Sequence, residues 1–169
     1  PGAISPFTGR LRNANSVWLN DRPLGDDLER ALGRPLRLAN DADCFTLSEA
    51  VDGAAAGAAS VFGVIIGTGT GGGIAVGGRL LAGPNAIAGE WGHNPLPWPT
   101  DRERPGGKCY CGKYGCIETF LSGPGMERDH AAVAGEKLTT HEIVARANAG
   151  EVDAGATIER YVERLGRAL

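Results

Sequence analysis

One histidine and three cysteines, His93, Cys109, Cys111 and Cys116, stand at spacings that let all four close around a single metal ion. An imidazole and three thiolates fill a tetrahedral zinc shell and leave no open position, so such an ion is structural. A carboxylate flanks the set on each side, Glu90 before it and Glu118 after it. These carboxylates are what the metal would hold in place. The competing reading is an oxidised cysteine pair with a bystander histidine. Cys109 and Cys111 are separated by one residue and are poorly placed for a mutual disulfide, so ligand type and spacing favour zinc.

Two further stretches carry chemistry. Leu36-Arg37-Leu38-Ala39 reads as a brief strand and Asn40-Asp41-Ala42-Asp43 follows it, with a helix signature from Asp43 through Phe45, Ser48 and Ala50. A strand that ends in Asn-Asp and turns into a helix puts Asp41 at a strand's C-terminal edge, where α/β folds keep reactive groups. A plain turn and helix cap explains the same pair, and both readings stand. The second stretch is Gly67-Thr68-Gly69-Thr70-Gly71-Gly72-Gly73. A buried strand, 61–66, precedes it, and Ile74-Ala75-Val76 follows, with Gly77-Gly78 as a tight turn into Arg79-Leu80-Leu81. A P-loop or a dinucleotide fingerprint would open a helix, so both are excluded. What remains is a hairpin whose N–H groups, with the Thr68 and Thr70 hydroxyls, can surround phosphate oxygens. A ligand-free β-bulge is the alternative. Each glycine costs about 0.5–1 kcal/mol against Ala in regular structure, so five in seven positions favour a closely approaching ligand.

The elements that must position these groups are mostly short. Residues 1–24 lack helical periodicity, and Leu24–Leu32 reads as an amphipathic helix ended by Gly33 and Pro35. The Pro- and charge-rich excursion 95–107 reads as a surface loop that a metal would close, since zinc binding supplies ~10–16 kcal/mol in small fingers. A helix begins at Ile117 and is broken at 122–125. Thr139 and Glu142 form a capping-box pattern opening a helix through Ala149, which Gly150 closes. The helix from Asp153 onward has Ile158, Val162 and Leu165 at helical spacing and is expected to pack in a core partly absent from these residues, while His130 and His141 read as surface residues.

Bulk properties narrow the classes. The 169 residues suffice for one domain or for pieces of two. At net charge −3 with no basic stripe, the chain lacks the footprint of a nucleic-acid binder. No apolar run approaches the ~20 residues of a membrane span, and no basic-then-apolar leader is present. Thiol ligation without a signal peptide points to a reducing cytoplasm. A start at Pro-Gly and an end inside a helical pattern make the chain read as cut at both ends.

Asn40-Asp41-Ala42, the strand–GTGTGGG–strand unit, GEWGH and CYCGKYGCIE resemble, in this order, the ROK family (repressors, open reading frames and sugar kinases). The resemblance runs from the start of the chain to about Gly150. Within the family, SEAVDGAAAG, AGEWGHNPLPW and GCIETF look like bacterial fructokinases of the manno(fructo)kinase type, with N-acetylglucosamine kinases next. The resemblance implies an α/β, actin-like ATPase (ribonuclease H-like) fold, present in part and carrying a zinc-binding loop insertion. Residues 1–58 would end the N-terminal lobe, and 59–169 would begin the C-terminal lobe. It further implies Asp41 as catalytic base and Asn40, Glu90, His93 and Glu118 as sugar-binding residues. Gly67, Thr68, Gly69 and Thr70 would bind ATP phosphates, and His93, Cys109, Cys111 and Cys116 would bind structural Zn²⁺, with Mg²⁺ accompanying ATP.

The expected reaction is phosphorylation of fructose to fructose 6-phosphate by a cytoplasmic, homodimeric enzyme. The alternatives are a glucose, mannose or N-acetylglucosamine kinase, or a non-catalytic sugar-sensing protein. Asp43 departs from the Asn of many relatives. The family's N-terminal Asp-x-Gly-Gly-Thr phosphate strand and its later adenosine-binding Gly-Gly segment have no counterpart in these residues. The 169 residues alone are therefore expected to have little or no kinase activity.

Overall fold

The computed structural model describes residues 2–14 and 16–169. It divides into two units of mixed helix and strand, residues 1–64 with 72–90 and residues 65–71 with 91–169.

In the first unit, strands β1 (Ala3–Ile4) and β2 (Leu11–Arg12) pair antiparallel. Helix α1 (Leu24–Leu32) follows with the bounds read from the sequence, and Gly33 ends it at φ +64°. The strand expected at 36–39 does not form. Strands need a ladder partner, and neither described sheet offers one to this segment. Its Leu36 N–H is instead taken by the Glu29 carboxylate at 3.0 Å. Helix α2 (Asp41–Val51) starts two residues earlier than expected. Its cap is Asn40, whose Oδ1 accepts from the N–H groups of Ala42 (2.8 Å) and Asp43 (3.1 Å).

Strands β3 (Ser60–Ile66), β4 (Thr70–Val76) and β5 (Arg79–Leu80) form a sheet in that order. Ala75 pairs with Leu80 and Val76 with Arg79 across the Gly77-Gly78 turn, where φ values of +56° and +71° suit a two-residue hairpin. Thr46 of α2 lies against this sheet, fully buried, its hydroxyl donating to Ala42 O at 2.8 Å. A Cβ on Gly63 would overlap Thr46 Oγ1, and one on Gly73 would lie 2.6 Å from it. Part of the glycine run therefore admits a helix, which corrects the expectation that the run as a whole answers to a ligand.

In the second unit, helices α3 (Gly123–Ala134), α4 (Thr140–Asn148) and α5 (Val152–Ala168) pack around Met126, Leu138, Ile143 and Ala154. The segment at 122–125 starts a helix where a break was expected. Ser122 Oγ accepts from Gly125 N–H at 3.1 Å, and Pro124 occupies the first turn, where a missing N–H costs nothing. Before it, residues Ile117–Thr119 make only a 3₁₀ turn. The Thr139–Glu142 capping box forms as read, at 2.8 and 3.3 Å.

One other expectation fails here. His130 is fully buried, not on the surface, with Nδ1 3.0 Å from Thr157 Oγ1. Val162 is 58% exposed, while Ala154, Thr157 and Arg164 face inward along α5. Arg164 is drawn inward to Asp129 Oδ1 and Glu103 Oε1 at 2.8 and 2.7 Å and so sets the rotation of α5, which turns Thr157 toward His130 and Val162 outward.

The 95–107 excursion is consequently not a free loop. Its 3₁₀ turn Asp101–Glu103 is closed by the Glu103 carboxylate accepting from Thr100 N–H at 2.8 Å. The same buried carboxylate receives Arg164 Nε at 2.7 Å and Arg167 Nη2 at 2.8 Å. Burial alone would raise the Glu103 pKa; hydrogen bonds from Arg167 and Arg164 outweigh it and bring the group to about 2. A folded-state pKa below the unfolded value means that this stabilisation is complete above pH 4.5 and is lost as the pH falls toward about 2.

Glu103→Ala removes the carboxylate that Arg164 and Arg167 share and leaves Arg164 with Asp129 alone. It should lower unfolding free energy by about 3–5 kcal/mol at pH 7, measured by denaturant titration. The gap between wild type and variant should narrow on acidification from pH 4.5 toward 2. A constant gap over that range would mean that Glu103 acts through packing alone.

Candidate functional site

The His93 end of the cluster is set by the 3₁₀ turn Trp91–His93. Trp91 is buried with its Nε1–H donating to Gly71 O at 2.8 Å, and Gly92 lies against Thr70 O so closely that a Cβ would collide with it. The cysteine end is a turn in which Cys109 N–H donates to Lys113 O (2.8 Å) and Gly112 N–H to Cys109 O (3.0 Å). Backbone contacts join the two ends. Pro95 bridges Cys116, and Ile117 N–H donates to Asn94 O at 2.9 Å.

One ligand atom from each of His93, Cys109, Cys111 and Cys116 lies within 4.8 Å of all the others. His93 Nδ1 is 3.4 Å from Cys109 Sγ, and Cys111 Sγ is 3.6 Å from Cys116 Sγ. All three cysteines are free thiols, so the disulfide alternative is absent. Burial pushes the Cys109 and Cys116 thiols up. Burial would raise Cys111 too, but the Lys113 backbone N–H and the neighbouring sulfurs bring it down. Buried thiols of this kind ionise together only when a cation sits among them, and three sulfurs with one imidazole are a zinc donor set. The residues fit the metal.

Glu118, the carboxylate just after the last cysteine, touches both the cluster and the glycine loop. Its Oε1 accepts from Cys109 Sγ at 3.3 Å and stands 3.8 Å from His93 Nδ1. Its Oε2 accepts from Thr70 N–H at 3.4 Å. A Cβ on Gly69 would lie 2.6 Å from that oxygen, so glycine at 69 makes room for the carboxylate. The Thr70 hydroxyl donates inward to Leu121 O, and Gly123 N–H donates to Gly67 O at 2.8 Å. Thr68 is exposed on the same loop. The second unit thus brings together His93, the three cysteines, Glu118 and residues 67–70.

The first unit brings together the other predicted residues. Asn40 caps α2 with Oδ1 and donates through Nδ2 to Glu90 Oε1 at 3.3 Å. Asp41 is the first residue of α2 and is exposed, its Oδ1 near its neighbour's N–H at 3.1 Å. An acid in the first helical turn is favoured by the helix dipole. The cap reading is therefore true of Asn40, while the Asp41 carboxylate stays at the surface.

Sequence reasoning missed Tyr110, whose hydroxyl lies 3.1 Å from His93 Nε2, and Trp91, which fixes the turn before His93. The one available signal was position, since each sits beside a predicted ligand. Among the described residues no helix is long and apolar enough to cross a membrane.

The profile of the ROK family matches residues 1–169. An N-acetyl-D-glucosamine kinase of Pectobacterium atrosepticum is 39% identical over 175 residues, covering 100% of this chain and 57% of that protein. The crystal structure of a ROK hexokinase from Thermus thermophilus superposes with a TM-score of 0.79 at 33% identity, over 98% of this chain and 53% of that one. A ROK family glucokinase from Streptomyces griseus, in complex with glucose and AMPPNP, gives a TM-score of 0.79 at 27% identity, over 99% and 57%. The chain spans a little over half the length of these relatives.

Metal analysis of the purified protein should find about one zinc per chain, the number one four-donor shell holds. Chelation should raise the count of thiols that react with a chromogenic disulfide and lower the melting temperature. Absence of zinc in protein grown with it, or thiols equally reactive before and after chelation, would rule the metal centre out.

Proposed function

From the premise that the chain belongs to the ROK family and has part of its α/β, actin-like ATPase fold, we propose that the intact protein is an ATP-dependent hexose kinase with N-acetylglucosamine as its preferred sugar. The fructose preference expected from AGEWGHNPLPW and GCIETF finds no support, because a relative at 39% identity is an N-acetyl-D-glucosamine kinase. The kinase alternative to fructose replaces it.

The observation that carries the reading is Glu118. It follows the ligand Cys116 closely in the chain, its Oε1 stands beside Cys109 and His93, and its Oε2 reaches the glycine loop. A group suited to sugar hydroxyls and a loop suited to phosphate oxygens are thus one connected piece. In this reading Asn40, Glu90, His93 and Glu118 hold the sugar, carboxylates chelating neighbouring hydroxyls. Asp41 accepts the proton of the attacking primary hydroxyl. In the 67–70 loop the Thr68 hydroxyl and the N–H groups of Thr68 and Gly69 receive ATP phosphates, while Gly67 N–H, held by Gly69 O, and Thr70, held by Glu118 and Leu121 O, keep the loop in shape. His93, Cys109, Cys111 and Cys116 hold zinc, which fixes His93 and Glu118 and supplies no chemistry of its own. The boundary between lobes near residue 58, a cytoplasmic location and a homodimeric parent belong to the same reading.

The chemistry suits these residue types. Phosphoryl transfer asks a protein mainly to position an in-line attack and neutralise charge, with Mg²⁺ bound to the nucleotide. A positioned carboxylate base contributes roughly 10²–10⁴-fold.

A coupled ADP-release assay of the intact protein across N-acetylglucosamine, glucose, mannose and fructose should give the highest kcat/KM for N-acetylglucosamine. Fructose leading the series would refute the preference. Turnover with none, despite sugar binding, would leave a sugar-sensing role. Asp41→Asn should lower kcat by about 10² or more while sugar affinity is retained. Undiminished turnover in that variant would remove Asp41 from the base role. The 169 residues alone should turn over little.

A further inference from the structure

His93 presents two nitrogens with different company. Nδ1 lies among the sulfurs, 3.4 Å from Cys109 Sγ. Nε2 lies 3.1 Å from the Tyr110 hydroxyl, with the two rings edge to face at 87° and 5.1 Å between centroids. When Nδ1 is the ligand atom, the proton of the neutral ring is on Nε2, so Nε2–H donates and the phenol oxygen accepts. Tyr110 therefore occupies the one remaining hydrogen-bond position of a metal-binding histidine whose side chain is only 19% exposed.

We propose that the Tyr110 hydroxyl holds the place of a sugar hydroxyl on His93 Nε2 and is exchanged for it when sugar binds, so that Tyr110 sets affinity and selectivity at the sugar site. This rests on the reading of His93 as a sugar-binding residue. A single N–H does not serve two oxygens well, so phenol and sugar compete for it. The geometry lets the phenol leave without disturbing the ligands. Tyr110 stands between Cys109 and Cys111 in a turn fastened by backbone bonds, yet 44% of the residue is exposed. Rotation about its side-chain torsions moves the hydroxyl while the backbone stays put. The Glu118 carboxylate, 3.8 Å from the same imidazole, is at hand to take a neighbouring sugar hydroxyl. A sugar that presents a hydroxyl to Nε2 replaces what it displaces. A sugar that lacks one there must leave the donor with the phenol or strand it, and sites built on hydrogen bonds reject such ligands strongly.

The test is Tyr110→Phe in the intact protein, with N-acetylglucosamine, glucose and 2-deoxyglucose titrated calorimetrically. Removing the competitor should tighten binding of the best sugar by about two- to tenfold, the worth of one net hydrogen bond. Zinc release to a chromogenic chelator gives a second readout. Without sugar it should be faster in the variant, because the imidazole has lost its outer partner, and saturating sugar should restore the wild-type rate. Faster release that sugar does not correct would mark Tyr110 as merely structural. Equal or weaker sugar binding by Tyr110→Phe, with wild type binding normally, overturns the exchange alone. Failure of the wild-type protein to bind any hexose overturns the sugar-kinase reading and the exchange with it.

Discussion

Three sulfurs and one imidazole nitrogen must share a space 4.8 Å across, with Cys109 and Cys116 almost wholly buried. Burial raises both thiols, so the set becomes anionic only with a cation in its midst. The rest of the second unit's site depends on meeting that constraint. Residues 93–94 are tied to 116–117 by the Asn94–Ile117 hydrogen bond, and Glu118 follows directly. From there its carboxylate reaches Thr70 N–H, and Gly69 has no side chain so that it can. Disturbing the ligand set therefore disturbs the glycine loop through one side chain.

The excursion between His93 and Cys109 has a second fastening that is independent of the metal. Glu103 is buried against Arg164 and Arg167 of α5, and Arg164 in turn meets Asp129 of α3 and lies over Phe120 at 5.3 Å. The three-helix bundle thus backs the metal loop from its middle while the ligands hold its ends. Breaking a buried ion pair costs about 3–5 kcal/mol, whereas zinc binding supplies ~10–16 kcal/mol in small fingers. Zinc bound there would be the larger contribution, with the carboxylate deciding where the closed loop lies.

What was legible in the sequence was local. The Gly77-Gly78 turn, α1 with its Gly33 stop, the Thr139–Glu142 box and the four ligands each follow from spacing within a few residues or from donor chemistry. What was not legible depends on partners far along the chain. The strand at 36–39 lacks a neighbour, and the α5 face is turned by Arg164 meeting Glu103 sixty-one residues away. His130 is buried through Thr157, twenty-seven residues on. The glycines divide in the same way. Gly63 and Gly73 admit Thr46, and Gly69 admits Glu118, so composition alone could not separate packing from ligand binding. The choice among hexoses was not legible for a related reason: motifs specify residue types, while pocket shape selects among sugars.

The central claim is that a metal without chemistry of its own shapes a sugar site by fixing His93 and Glu118. The direct measurement is calorimetric titration of N-acetylglucosamine into the intact protein, zinc-loaded and zinc-stripped, with the fraction folded determined for each. The account predicts that stripping weakens sugar binding in the molecules that remain folded, and that restoring zinc restores it. Folded, zinc-free protein that binds the sugar as tightly as the loaded form would contradict it.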